Sequence, residues 1–248
     1  MITLKTPAEI SLMKESGEIT KNVLDLIGKT IKDGMTTKQL NDIAYDYIKS
    51  CGATPSFLGY GGYPASICAS IDDIVVHGIP DDKTFIKSGQ IVSIDVGVIY
   101  NGWQGDAART FLVGDVSPEK RKLVQVTEEC FFKAIERLRD GTPLGDVGFA
   151  VQSYAEANGF SVVRALTGHG IGREMHEDPS VPNYGRKGTG IRLKKGMVIA
   201  IEPMINMGGF QVDFLSDGWS VRTRDRKPSA HYENTVAITE NGVEILTL

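Results

Sequence analysis

The sequence predicts an α+β fold of two similar halves, about 1–115 and 116–248, each a helix pair followed by antiparallel strands, related by a pseudo-twofold repeat and sharing one curved sheet. Three observations carry that prediction. Asp33-Gly34 recurs as Asp140-Gly141, Gly52 as Gly159, Gly89 as Gly196, and GQIVSID (89–95) recurs as GMVIAIE (196–202), every pair 107 positions apart. One matched glycine pair means little in a chain with 28 glycines, but four anchors at one offset mark a duplication. Helix-start signals come in pairs ahead of strand-rich stretches, and no Pro/Ser-rich linker divides the halves, so 1–248 reads as a single domain.

The elements follow in order. Thr6-Pro7-Ala8-Glu9 combines a Thr cap, Pro at the first helical position and Glu at the third, opening a helix to about Lys32. Thr36 and Gln39 repeat the signal, and Leu40, Ile43, Ala44, Tyr47 and Ile48 trace an amphipathic stripe that Gly52 terminates. Ser117-Pro118 starts the third helix, to about Arg139; Val147, Val151, Tyr154 and Ala155 mark the fourth, ending near Gly159. Strands are expected within 66–78, 90–113, 160–168, 197–205 and 231–247, with an inserted loop at about 206–229.

TGHGIGREMHEDPSVP (167–182) holds two of the four histidines, His169 and His176. Two helical turns would stack them on one face, but Gly168, Gly170 and Gly172 each cost about 1 kcal/mol against Ala in a helix, and Pro179 and Pro182 close the stretch. The glycine spacing does not fit G-x-G-x-x-G, and no Lys-Ser/Thr follows, so a phosphate cradle is rejected. The stretch reads as extended backbone that lets another group come close.

Composition narrows the function. With 41% apolar and 23% charged residues and a net charge of −4, the chain resembles an ordinary globular protein and lacks a nucleic-acid footprint. No run approaches the roughly 20 apolar residues of a membrane span, and MITLKTPAEI is not a signal peptide. Cys51, Cys68 and Cys130, odd in number and far apart, imply reduced thiols in a cytoplasmic protein.

The repeated strand ends in an acid in both copies, Asp95 and Glu202, although strand interiors disfavour carboxylates. Asn101-Gly102 is a strong two-residue hairpin signal. It pairs Tyr100 with Trp103 and brings Gly97 opposite Asp106, so Asp95 shares a face with Asp106, about 7–8 Å away by Cα. Gly97 is then expected to leave open space between the carboxylates, and Glu202 has its counterpart in Glu233. Four crowded carboxylates repel unless cations neutralise them. Many acids with one or two histidines suit hard or borderline divalent ions that carboxylates bridge. His169 then serves as nitrogen ligand and His176 faces a substrate. His231 shares the acid-flanked strand with Glu233, but strand parity explains it and it receives no role. RTRDRKP (222–228) reads as a solvated loop.

The ordered set Asp95, Asp106, His169, Glu202, Glu233 resembles the five-ligand dimetal site of the methionine aminopeptidases, which have the pita-bread (creatinase/aminopeptidase) fold. VHGIPDD (76–82), SIDVGVIYNGWQGDAART (93–110), TGHGIG (167–172), HEDP (176–179), IEPM (201–204) and DGWSVRTRDRKPSAHYENT (217–235) carry the likeness from the first helix to the last strand. The chain resembles the bacterial type I form, for which neither an N-terminal zinc-binding extension nor a large helical insertion is expected.

The resemblance implies a single catalytic domain with two divalent ions (Co²⁺, Mn²⁺ or Fe²⁺), Asp106 and Glu233 bridging them, Asp95 chelating one, and His169 and Glu202 completing the other. A hydroxide bridging the ions would attack the first peptide carbonyl, with His176, Glu202 and His77 as catalytic groups. His77, His176, Tyr60, Tyr63, Cys68 and Trp219 would contact substrate; Phe57 and Met175, where some relatives have Cys and an aromatic, would shape the pocket. The substrates implied are N-termini of nascent polypeptides with a small second residue. A transient ribosome contact, a monomeric state, no membrane and no specific nucleic acid complete the expectation. With Ile2 at its own second position, the chain is expected to keep Met1. Two rivals stay open: a proline-specific peptidase such as prolidase or aminopeptidase P, and a non-catalytic, metal-free scaffold on the same fold.

Overall fold

Thr6 and Thr36 each form a reciprocal capping box, with Glu9 and Gln39, and helices α1 (Pro7–Thr30) and α2 (Thr37–Ser50) start where those boxes put them. The computed structural model describes residues 2–248; Met1, whose retention the sequence leads us to expect, lies outside the described residues. α3 (Pro118–Ile135) begins at its Ser117 cap but stops short of Arg139. There the chain turns toward left-handed Gly141, φ 86°, whose N–H donates to Leu193 O. α4 (Gly145–Ala157) has Leu144 at its N-cap and no side-chain cap bond. The amides of Leu144 and Gly145 donate instead to Ile191 O and Thr189 O.

The duplication is written into the backbone. Gly34 and Gly141 have φ of 84° and 86°, and Gly89 and Gly196 have 90° and 91°, a left-handed region that favours glycine. The bonds around them recur too. Gly34 N–H donates to Ile86 O as Gly141 N–H does to Leu193 O, and the Asp33 and Asp140 carboxylates accept from the amides of Ser88 and Lys195.

A nine-stranded antiparallel sheet crosses from one half into the other. Its strands run in the order Thr54–Pro55, Ile91–Tyr100, Trp103–Leu112, Glu233–Thr239, Val198–Ile201, Gly168–Gly170 and Glu177–Val181. Ile67–Ile71 adds to the second of these and Gly242–Ile245 to the fourth. The halves meet between Trp103–Leu112 and Glu233–Thr239, where Glu233 lies opposite Ala108 and Asn234 opposite Ala107. The equivalent strands Ile91–Tyr100 and Val198–Ile201 flank that seam on either side, as a pseudo-twofold axis requires. Thr235 ties it further: its hydroxyl donates to Asp106 O and accepts from Asp106 N–H.

Helices cover one face of this sheet. Val92, Ile94, Val96 and Val98 pack with Val23, Ile27, Leu40 and Ile48, while Ile199, Ile201, Val236 and Ile238 pack with Leu123, Phe131, Val147 and Val151. Strand alternation therefore sends Asp95, Asp106, Glu202 and Glu233 to the opposite face.

The 206–229 segment is more ordered than the loop expected from sequence. It holds strands Val212–Phe214 and Val221–Thr223, which form a small sheet with Ile74–Val76. Strands of three residues are too short for apolar alternation to announce them. The basic run thus opens on a strand, and its Arg224 and Arg226 pair with Asp213 at 3.0 Å and Asp73 at 3.2 Å. Cys51, Cys68 and Cys130 are unpaired, and no helix among the described residues is long and apolar enough to cross a membrane.

Candidate metal centre

The hairpin built on Asn101-Gly102 holds the register read from the sequence: Tyr100 faces Trp103, Gly97 faces Asp106 and Asp95 faces Ala108. Asn101 (φ 50°) and Gly102 (φ 77°) both take the left-handed conformation that such a two-residue turn demands. Asp95 and Asp106 thus project from one hairpin to the helix-free face. Glu233 arrives across the seam, its carbonyl accepting from Arg109 Nη1 at 2.6 Å. Glu202 follows the last residue of Val198–Ile201, and its carbonyl accepts from Asn183 Nδ2 at 2.8 Å.

His169 lies on Gly168–Gly170, opposite Ala200. The flanking glycines make that approach possible, because a Cβ on Gly168 would sit 2.4 Å from Ala200 O and one on Gly170 would sit 2.1 Å from Asp178 O. Nδ1 of His169 lies 2.9 Å from Gly170 O. A carbonyl only accepts, so Nδ1 carries the proton and Nε2 presents a lone pair. That Nε2 stands 3.6 Å from Asp106 Oδ2 and 3.7 Å from Glu202 Oε1.

Burial raises the carboxyls of Asp95, Glu202 and Glu233 well above the usual range, and their mutual negative charge adds to it. Asp106 is raised as well, again by burial. Burial lowers all four histidines, His176 to about 4 and His231 to about 3, so the imidazoles are neutral. Among the buried atoms lacking a hydrogen-bond partner are Asp95 Oδ1, Asp106 Oδ1, Glu233 Oε1 and His231 Nε2. Asp106, His169 and Glu233 offer one donor atom each within 4.8 Å of one another, and so do Asp95, His231 and Glu233. Unpaired buried acids and neutral imidazoles form a donor set that fits divalent cations.

The cavity above this floor is small, about 120 Å³, and is lined by Phe57, Tyr60, Tyr63, Cys68, His77, Asp95, Asp106, His169, His176, Glu202, Trp219 and Glu233. Twelve of the thirteen side chains singled out from the sequence therefore meet in it. Met175 does not line it; the side chain is 2% exposed and packs over Gly97. The space above Gly97, expected to be open, is filled. A Cβ there would meet Met175 Cε and Phe57 Cε1, each at 2.7 Å, and Ser56 Cβ at 2.9 Å. The glycine makes room for the pocket wall.

Tyr63 is buried, its hydroxyl donating to Gly78 O at 3.0 Å, and its ring meets Trp219 edge-on at 5.0 Å between centroids. Tyr60 OH lies 2.7 Å from His176 Nδ1, and the His176 ring is 4.3 Å from that of His169. His77 lines the cavity with φ of 60°, a conformation that costs a non-glycine residue on the order of 1–3 kcal/mol and clusters at functional sites. Sequence reasoning missed His231. Its Nε2 stands 3.6 Å from Glu233 Oε2 and 3.8 Å from Glu202 Oε2. The available signal was its separation of two residues from Glu233.

The model of metallopeptidase family M24 matches residues 11–240. The chain is 52% identical over 248 residues to a methionine aminopeptidase of Clostridium acetobutylicum, covering 100% of this chain and 99% of that one. It is also similar to the crystal structure of methionine aminopeptidase from Rickettsia prowazekii, with a TM-score of 0.98, 48% identity and all of both chains covered. The prolidase from Pyrococcus furiosus shares the fold at a TM-score of 0.75 and 24% identity, and 65% of its chain is covered.

Proposed function

The chain belongs to metallopeptidase family M24, and from that premise we propose that it is a methionyl aminopeptidase, a metal-dependent exopeptidase that removes the initiator methionine from N-termini with a small second residue. One observation carries the reading: a single small cavity joins a floor of unpaired acids and imidazoles to an aromatic wall.

Asp95, Asp106, His169, Glu202 and Glu233 would hold two divalent cations, with Co²⁺, Mn²⁺ and Fe²⁺ the candidates. Bound there, such ions polarise a carbonyl and lower the pKa of water from 15.7 to about 7. The rest falls to the protein's own side chains. Phe57, Tyr63, Cys68 and Trp219 receive the methionine side chain, whose unbranched thioether packs well against aromatic rings. At about 120 Å³ the cavity takes one side chain.

With the Tyr60 hydroxyl 2.7 Å from Nδ1 of neutral His176, donation by the hydroxyl would leave the imidazole proton on Nε2. That N–H donates to the substrate carbonyl oxygen as negative charge develops on it. Glu202, which lines the cavity beside the other acids, carries the proton from water to the leaving amine. His77, held by its strained backbone, contacts the scissile amide. Its natural substrates are then nascent chains met in the cytoplasm.

The deciding experiment offers Met-Ala-Ser, acetyl-Met-Ala-Ser and X-Pro peptides to enzyme loaded with Co²⁺ or Mn²⁺. Free methionine should appear from the first alone, and a chelator should abolish its release. Preferential X-Pro cleavage would make the chain a proline-specific peptidase instead.

A further inference from the structure

His231 lies at the other end of the acid cluster from His169. It ends strand Ser229–His231, is 1% exposed, and reaches the acids beside Glu233. Its Nε2 is buried and has no hydrogen-bond partner among the described residues. A histidine placed there only for packing would leave that nitrogen unsatisfied, at a cost of about 1–3 kcal/mol.

The distances distinguish the alternatives. At 3.6 Å from Glu233 Oε2 and 3.8 Å from Glu202 Oε2, Nε2 is beyond the 2.7–3.2 Å of an N–H···O hydrogen bond. Two donors that share one first-row ion, each about 2.1 Å from it, lie roughly 3.0–3.6 Å apart for angles of about 90–120° at the metal, near the spacing of Nε2 to Glu233. His169 Nε2 keeps the same spacing from its own acids, 3.6 Å to Asp106 and 3.7 Å to Glu202. The two triads within 4.8 Å, Asp106-His169-Glu233 and Asp95-His231-Glu233, share Glu233 and contain one imidazole each. Asp95 Oδ1, in the second triad, also lacks a partner.

The geometry points to His231 as a second nitrogen ligand, serving the ion held by Asp95 and Glu233, so that the dinuclear centre has one imidazole at each end. This adds a sixth side chain to the five-ligand set and rests on the dinuclear reading above. An ion bound there satisfies the orphaned Nε2. It also makes the two sites more alike in donor type, because each ion then has one neutral nitrogen among its oxygens.

The test uses metal-stripped full-length protein titrated calorimetrically with Mn²⁺ or Co²⁺, together with X-ray absorption on the Co²⁺-loaded wild type to count imidazoles. Wild type should bind two ions and return two imidazoles per pair. His231→Ala should weaken one ion about 100-fold or more, leave the other within a few-fold, and return one imidazole per pair. His169→Ala should do the same to the other ion. One imidazole per pair in the wild type overturns the assignment even if His231→Ala fails to fold, and so do unchanged affinities in a folded His231→Ala. If His169→Ala still removes an ion in that case, the five-ligand reading survives. A wild type that binds no ion defeats both.

Discussion

The two copies of the duplicated unit reach the same acid by different routes. In the first, Asp95 sits inside a ten-residue strand, and its partner acid Asp106 comes back across a two-residue turn. In the second, the equivalent strand is only Val198–Ile201, Glu202 lies just past its end, and Glu233 returns after a segment that carries several short strands and Trp219. Two residues beyond each acid, the first copy has Gly97 under the pocket wall, whereas the second has Met204, fully buried under the inserted strands. The copies share a scaffold but divide the labour. The unbroken hairpin fixes two carboxylates rigidly, and the interrupted copy supplies His231 and one wall of the cavity.

The sharpest way to break this comparison is to remove one acid from each copy. Asp106→Asn and Glu233→Gln should each lower kcat/KM by at least about 10³-fold, a loss of roughly 4 kcal/mol in transition-state stabilisation. Metal content by elemental analysis should fall with it. If one variant stays within tenfold of wild type, the copies do not contribute equally.

Removing the metal tests the acids of both copies together. Burial and mutual repulsion raise Asp95, Glu202 and Glu233 in the folded protein, so the metal-free fold holds protons that the unfolded chain, with carboxyls near 4, has released. Above about pH 7.5, a unit past the ordinary histidine value of about 6.5, the histidines are neutral in both states, so these acids set the slope: stability falls with rising pH until their raised folded values are passed. The melting temperature of metal-stripped protein should decline as pH is raised above about 7.5, and metal-loaded protein should decline less. A flat or rising profile without metal would mean that the acids are already neutralised by something else.

The smallest expected effect probes the glycine. Gly97→Ala puts a methyl where Met175, Phe57 and Ser56 already lie within 3 Å, an overpacking that costs about 1–3 kcal/mol. Chemical denaturation measures that cost. A rise in KM at nearly constant kcat would confine the damage to the pocket wall, and a neutral substitution would show the wall to be loose.

Much of the first copy was legible because its information is local. Asn101-Gly102 fixes the register of the hairpin, so the facing of Gly97 and Asp106 and the shared face of Asp95 follow by counting. Thr6 and Thr36 announce its two helix starts through bonds to residues three positions away, as Ser117 does for one helix of the second copy. The second copy resists such counting. Most of its strands have two to four residues, too short for a periodic signal, and α4 is capped by the carbonyls of Thr189 and Ile191, more than 40 residues on in the chain, so no cap residue precedes it. His231 was discounted on strand parity, yet parity is what directs it to the same side as Glu233.

The sequence by itself determined the duplication and the first hairpin, because turn conformations, helix caps and side-chain alternation act between near neighbours. Only the tertiary structure decided that Met175 and Phe57 fill the space over Gly97, that Tyr60 touches His176, and that His231 points an unpaired nitrogen at Glu233 and Glu202. Those contacts join segments far apart in the chain, and their geometry is set by how two packed halves close on each other.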